Sequence, residues 1–310
     1  MTSDLRLGLV GCGRLAELGH IPAMRKASGL TLAAVADPEL SRCRRLAPDV
    51  PAFDSAAALL AAGGVDALVL ATPAAAHVRD ATAAVDAGVP VLVEKPPAPG
   101  ADEAAVLVRL DPSPWIGLNR RFEPGIRRLR ERIGAGAARE LDLALHQPGR
   151  WASHAVADDV LLATGTHLID LARWLSGAGI ERVRATELSE DVASLELELD
   201  GARARISCAR GRPHRDRVEV RGRDGATLGR YVGEVIWRRG LRRLARLGTA
   251  SGLVHLLVLE LEEFAGAVRG KPAPTLATAA DGVAMMAAVD AAHRSAISAG
   301  AWIDCPARVG

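Results

Sequence analysis

From Leu5 to Leu118 short apolar runs alternate with alanine-rich, helix-compatible stretches, the rhythm of strand–helix–strand units that build a parallel sheet. The apolar runs predict strands at Leu5–Val10, Thr31–Ala36, Ala67–Ala71, Val89–Val93 and Trp115–Leu118. Helices are expected between them at Leu15–Ala27, Ala56–Ala62, Ala75–Ala87 and Asp102–Leu110, with Gly88 placed as a C-terminal cap. After Asn119 the pattern changes. A basic helix around Gly125–Ile133 precedes a strand at Glu140–His146 and a helix at Val160–Leu175, and the strands that follow break at Asp200-Gly201 and Asp224-Gly225 as hairpins do. Helices at Leu256–Val268 and Ala279–Ala299 complete the pattern.

The expected fold class is α/β: a doubly wound parallel sheet in residues 1–118, then an α+β domain with a mostly antiparallel open sheet in residues 119–310. Length agrees, because 310 residues exceed what one hydrophobic core usually fills. With 49% hydrophobic and 25% charged residues the chain is ordinary for a globular protein. A formal net charge of +2 is too small for a nucleic-acid or membrane-surface protein, so neither partner is expected. Cys12, Cys43, Cys208 and Cys305 are scattered, with no CxxC and no Cys/His pairing, so no metal site or disulfide framework is read. The opening residues pass straight into a strand and no long uncharged apolar run follows, which reads as a cytoplasmic protein. Lysine is rare: Lys26, Lys95 and Lys271 are the only three.

Gly11-Cys12-Gly13-Arg14-Leu15-Ala16 follows a predicted strand and opens a predicted helix, the context in which a GxGxxA run points to a Rossmann dinucleotide site. Gly11 permits the tight turn, Gly13 lets backbone approach a pyrophosphate, and Ala16 lets helix and strand pack closely. The helix N-terminus offers its N–H groups to the phosphates. Asp37, at the end of the second strand, can accept both ribose hydroxyls of NAD and repel a 2′-phosphate. Arg42, Arg44 and Arg45 just behind it suit a 2′-phosphate instead, so NAD is preferred and NADP stays open. Cys12 occupies the variable position of the loop.

Further stretches extend the pattern: Ala71-Thr72-Pro73 with His77, then Val91-Leu92-Val93-Glu94-Lys95-Pro96-Pro97, Asn119-Arg120-Arg121-Phe122, and Gly165-Thr166-His167-Leu168-Ile169-Asp170. Together with the glycine loop, and over nearly the whole chain, they resemble the glucose-fructose oxidoreductase and inositol dehydrogenase family, Gfo/Idh/MocA. The Glu-Lys-Pro strand end is the most specific mark. The resemblance implies a nicotinamide cofactor contacted by Gly11, Cys12, Gly13, Arg14, Leu15, Asp37, Ala71, Thr72, Pro73, His77, Glu94, Lys95 and Asn119. It implies a small-molecule substrate, a sugar, nucleotide sugar or cyclitol, met by Lys95, Arg120, Thr164 and His167. It also implies a homo-oligomer.

Exchange between a hydroxyl and a carbonyl needs a hydride partner, a group that handles the hydroxyl proton, and positive charge where alkoxide develops. Lys95, at the carboxyl end of a parallel strand, suits the charge, and His167 suits the proton. In the family an aspartate stands four residues before the histidine; here that position is Ala163. Asp159, one turn further back, and Asp170, three beyond His167, are the carboxylates placed to orient the imidazole, or to serve as a helix cap and a structural bond. Two other readings stay open: reduction of an imine or conjugated double bond, and a non-catalytic nucleotide-binding protein. Trp151, His154 and Trp174 are candidate pocket residues. The basic run Arg238–Arg246 reads as a solvated amphipathic face or a phosphate contact.

Overall fold

The structure is a computed structural model that describes residues 3–134, 136–149, 159–233 and 242–305, with backbone alone described over 242–251. It divides into two compact units. The first comprises residues 1–122 and 236–279, and the second comprises 123–235 and 280–310.

In the first unit the elements are β1 (Leu5–Val10), a π-helical turn at Ala16–His20 running into α1 (Ile21–Met24), β2 (Leu30–Ala36), α2 (Leu40–Leu46), β3 (Ala52–Phe53) and α3 (Ala56–Ala62). Then come β4 (Ala67–Leu70), α4 (Ala74–Asp86), β5 (Val91–Glu94), α5 (Ala101–Val108), β6 (Trp115–Gly117) and a 3₁₀ turn at Asn119–Phe122. The parallel strands lie in the order β3-β2-β1-β4-β5-β6. β1, β4 and β5 bury nearly every residue, as strands with both faces covered do. The order reverses between β1 and β4, and in open α/β sheets the crevice at such a reversal, beyond the carboxyl ends of the strands, is where ligands bind.

In the second unit α6 (Pro124–Ile133) and β7 (Glu140–Gln147) precede a π-helical turn at Leu161–Gly165, α7 (Thr166–Ser176), β8 (Ile180–Leu188), β9 (Val192–Leu199), β10 (Ala202–Arg210), β11 (Arg215–Arg221) and β12 (Thr227–Val232). The chain then returns to the first unit as α8 (Arg242–Val268) and β13 (Ala277–Thr278), and ends in the second with α9 (Ala279–Ile297) and β14 (Ile303–Asp304). The second sheet runs β12-β11-β7-β10-β9-β8-β14 and is antiparallel except where β7 and β10 pair. Its strands alternate buried and outward residues, seen most regularly in β9.

The outward positions form rows of alternating charge. Arg182, Glu198, Arg203, Glu140 and Arg221 stand opposite one another across five strands. In the next row Glu219, almost fully buried, takes hydrogen bonds from Arg217, Arg221 and Arg230, which hold its carboxyl down at about 2.

The single boundary expected after Leu118 is corrected by this division. The first unit runs on through Phe122 and takes back residues 236–279. Leu257, Leu261 and Phe264 of α8 lie three and four residues apart on one face and join Ile21, Met24 and Phe122 in the first unit's core. β13 adds an antiparallel edge to β6. α8 also begins well before the expected Leu256, and α2 and β3 were not foreseen. Of the basic run, Arg238–Leu241 lies outside the described residues, as do Trp151 and His154.

Candidate active site

The glycine loop leaves β1 at the strand-order reversal. The Gly11 N–H donates to the Ala36 carbonyl at 2.7 Å, and its φ of +97° is one that side chains rarely adopt. A Cβ on Gly11 would sit 2.6 Å from the Ala71 carbonyl oxygen and 2.9 Å from the Thr72 nitrogen at the end of β4. Nothing lies within 4 Å of a Cβ built on Gly13. That is open space in front of backbone, as an approaching pyrophosphate needs. Ala16 is buried at the start of the π turn, where a larger side chain would push the helix off the sheet.

Asp37 stands one residue beyond β2 and is nearly buried. Its Oδ2 accepts the Cys12 N–H at 2.8 Å and its Oδ1 the Glu39 N–H at 2.9 Å. The carboxylate therefore locks the glycine loop to the end of β2, and each oxygen keeps a lone pair for a further donor. Arg42 lies 2.8 Å from Glu39, and Arg45 donates to Glu17 at 2.9 Å. Two of the three arginines behind Asp37 are thus already engaged with carboxylates.

Cys12, which has no partner close in sequence, meets Cys43 of α2 with their sulfurs 3.4 Å apart. Both thiols are buried, and burial pushes both up from the ordinary thiol value. At the end of β4, where the Thr72 backbone adjoins Gly11, the Thr72 hydroxyl is buried with no hydrogen-bond partner. Open space at Gly13, an acceptor at Asp37 and an unsatisfied hydroxyl at Thr72 suit a dinucleotide.

Lys95 follows β5 directly and is half-buried. Two residues expected to meet the cofactor have bonds within the protein. Glu94 is 3% exposed, with its carboxylate hydrogen-bonded to His20 at 2.8 Å. His77, on α4, uses Nδ1 to donate to the Pro96 carbonyl at 3.0 Å, and burial lowers its pKa so that the imidazole is neutral. Sequence reasoning missed His20 because it pairs with a residue 74 positions away. Asn119 and Phe122 are buried in the 3₁₀ turn after β6, Phe122 packing in the core, and Arg120 is half-buried beside them. Arg14 is exposed and Leu15 half-buried on the helix entry, while Ala71, Thr72 and Pro73 form the β4–α4 turn.

In the second unit His167 is the second residue of α7 and is half-buried. Thr164, expected to touch substrate, is buried in the preceding π turn, and Asp170 is buried one turn on from His167. Such π-helical turns concentrate at functional sites. They occur here at the two helix starts that the sequence singles out.

Asp159 does not orient His167. Its Oδ1 accepts the Leu162 N–H at 2.8 Å as a helix cap, and its Oδ2 pairs with His293 of α9 at 2.7 Å. The bond to Asp159 raises the His293 pKa. Burial opposes ionisation of Asp159, but the bonds from His293 and Leu162 outweigh it and hold that pKa below 3.8. The His293 contribution is complete below the unfolded value of 6.5 and is lost as pH rises through the folded value. That of Asp159 is complete above 3.8 and is lost as pH falls through its folded value. His293→Ala should therefore lower Tm most between pH 3.8 and 6.5, with a difference that shrinks in alkaline solution; thermal melts across pH check this.

Trp174 lies under the Arg130 guanidinium, 5.8 Å from ring centre to carbon. Among the described residues no group of three or more His, Cys, Asp or Glu is placed to hold a metal, and no helix is long and apolar enough to cross a membrane.

The model described as "Oxidoreductase family, NAD-binding Rossmann fold" matches residues 5–112, and the one described as "GFO/IDH/MocA C-terminal domain" matches residues 132–227. The chain is 31% identical to the rhizopine catabolism protein MocA of Rhizobium meliloti, across 93% of each chain. It is 29% identical to an inositol 2-dehydrogenase of Corynebacterium glutamicum, over 82% of this chain and 76% of that one. A solved myo-inositol dehydrogenase from Lactobacillus casei, in complex with NAD(H) and myo-inositol, shares the fold with a TM-score of 0.82, at 20% identity over 99% of this chain and 98% of that one.

Proposed function

The chain belongs to the Gfo/Idh/MocA family of NAD(P)-dependent oxidoreductases, and on that premise we propose that it interconverts a hydroxyl and a carbonyl on a sugar, nucleotide sugar or cyclitol, with NAD as the preferred cofactor. The observation that carries the reading is the place of Lys95, at the carboxyl end of β5 on the sheet edge that also bears the glycine loop, Asp37 and Thr72. Inositol dehydrogenases among the relatives support a polyhydroxylated substrate.

A bound nicotinamide would supply the hydride acceptor or donor. Gly13 and the helix behind it would hold the pyrophosphate and Asp37 the ribose hydroxyls, with Thr72 adding a hydroxyl. Lys95 presents an ammonium to the oxygen that gains charge as the hydroxyl proton departs, and His167 takes or returns that proton. With Ala163 in place of a carboxylate, Asp170 is the buried acid nearest His167 along α7.

The preference for NAD rests on Asp37, with Arg45 drawn to Glu17 and Arg42 closest to Glu39, at 2.8 Å, and 4.0 Å from Asp37 itself. Asp37→Ala removes a charged acceptor, a loss of about 1.5–3 kcal/mol. NAD affinity should fall roughly 10- to 100-fold while NADP affinity falls less, which fluorescence titrations with the two reduced cofactors would show.

The reaction is tested by following absorbance of the reduced nicotinamide against myo-inositol, scyllo-inositol, sugars, ketones and imines. Turnover on cyclitols or sugars is expected. Turnover on imines or enones alone would replace this reading with double-bond reduction, and tight NADH binding without turnover would replace it with a non-catalytic role, the reading that Ala163 favours. Assembly into a homo-oligomer belongs to the same proposal, supported by the self-complementary charge rows on the second sheet. Light scattering should give a multiple of 32.4 kDa.

A further inference from the structure

Lys95 is flanked by two buried histidines that hydride exchange does not itself require. On its N-terminal side the Glu94 carboxylate turns into the first unit. Oε1 bonds to His20 Nε2 at 2.8 Å, and Oε2 accepts the backbone N–H of Lys95 at 3.1 Å. Gly117, paired with Glu94 across β5 and β6, makes room for it, since a Cβ there would lie 3.2 Å from the carboxyl group. On the C-terminal side, the Pro96 carbonyl accepts from His77 Nδ1 at 3.0 Å. His20 is 0% and His77 1% exposed.

Each histidine comes from a segment that builds the nucleotide site. His20 ends the π turn that continues the glycine-loop helix, and His77 lies in the first turn of α4, directly after Thr72-Pro73. The Lys95 N–H and the Pro96 carbonyl one residue further on are thus tied to the two segments that flank the strand-order reversal. The His20–Glu94 bond is buried, so water competes little for it and it holds its geometry better than a surface bond does. Glu260 of α8 lies fully buried close by, with neither oxygen bonded. Burial and the neighbouring Glu94 push its pKa well above the ordinary carboxylate value.

We propose that His20 and His77 are positioning residues for Lys95, His20 acting through Glu94 and His77 through the Pro96 carbonyl, so that the ammonium is presented at one place on the sheet edge. The proposal rests on reading Lys95 as the catalytic lysine, and its test is read on the lysine itself. Only Lys26, Lys95 and Lys271 carry ε-amines. Reductive methylation with ¹³C-formaldehyde keeps their charge and gives three lysine NMR signals besides the N-terminal amine, and loss of one signal in Lys95→Arg identifies Lys95.

His20→Ala and His77→Ala should each shift the Lys95 signal and move its titration midpoint by about 0.5 pH unit or more, with Lys26 and Lys271 unchanged. His20→Gln, whose amide nitrogen reaches close to the lost Nε2, should restore the wild-type signal. In the alanine variants kcat should fall at least about tenfold while NADH affinity and KM hold within roughly threefold. A Lys95 signal and titration identical to wild type in both alanine variants would overturn the proposal and leave the histidines as packing groups. Should those variants fail to fold, Glu94→Gln keeps the side-chain volume and reads the same signal, and an unmoved Lys95 there overturns the proposal as well. Full turnover by Lys95→Ala would defeat the catalytic reading alone, because the NMR result does not depend on turnover.

Discussion

Lys95→Ala is expected to lower kcat by about two to three orders of magnitude while NADH affinity changes by less than about threefold. The magnitude follows from the role: a preorganised positive donor aimed at a developing oxyanion is worth about 10²–10³ in rate. The selectivity follows from place. Glu94 and Pro96 are held by His20 and His77, and the glycine loop by Asp37, so none of these bonds uses the Lys95 ammonium. Loss of the side chain therefore leaves the nucleotide frame standing. Fluorescence titration with NADH, beside absorbance turnover on the best substrate of the panel, separates the two effects. Full activity in the variant would remove Lys95 from the mechanism.

The second large effect is a contrast between two glycines of one loop. Gly11→Ala should leave the protein largely insoluble or lower its stability by several kcal/mol. It adds the cost of a side chain at φ +97°, about 1–3 kcal/mol, to a clash with the Ala71 and Thr72 backbone at 2.6–2.9 Å that no side-chain rotation relieves. Gly13→Ala should fold with a Tm within about 2 °C of wild type, because its Cβ points into open space. It should nevertheless weaken NADH binding at least about tenfold, since that space is where the pyrophosphate would lie. Thermal melts and NADH titration on both variants test this. Equal loss of stability would mean that the loop packs otherwise, and unimpaired NADH binding in Gly13→Ala would place the pyrophosphate elsewhere.

Much of the first unit was legible because its signals are local. Leu5–Val10 and Ala56–Ala62 were read at their observed bounds, and the other strands and helices expected between Leu5 and Leu118 lie within a few residues of those found. α2 escaped because Ser41–Arg45 is nearly all polar, its one buried residue being Cys43. The return of α8 escaped because an amphipathic helix declares an apolar face and not the core that will receive it. Site residues divide the same way. Gly11, Gly13, Asp37 and Lys95 were legible from motifs whose spacing reflects a strand-end turn. The bonds of Glu94 to His20 and of His77 to Pro96 were not legible, because motif position alone does not show which way a side chain points.

The order of short buried strands, the turn that only glycine can make at position 11, and the lysine at a strand end were determined by the sequence, because backbone sterics and hydrophobic periodicity act between near neighbours. Only the tertiary structure decided that Cys43 meets Cys12, that Asp159 serves His293, and that His20 and His77 bond to Glu94 and to the Pro96 carbonyl on either side of Lys95. Those pairings join groups 19 to 134 positions apart, and burial in a common core brings them into bonding distance.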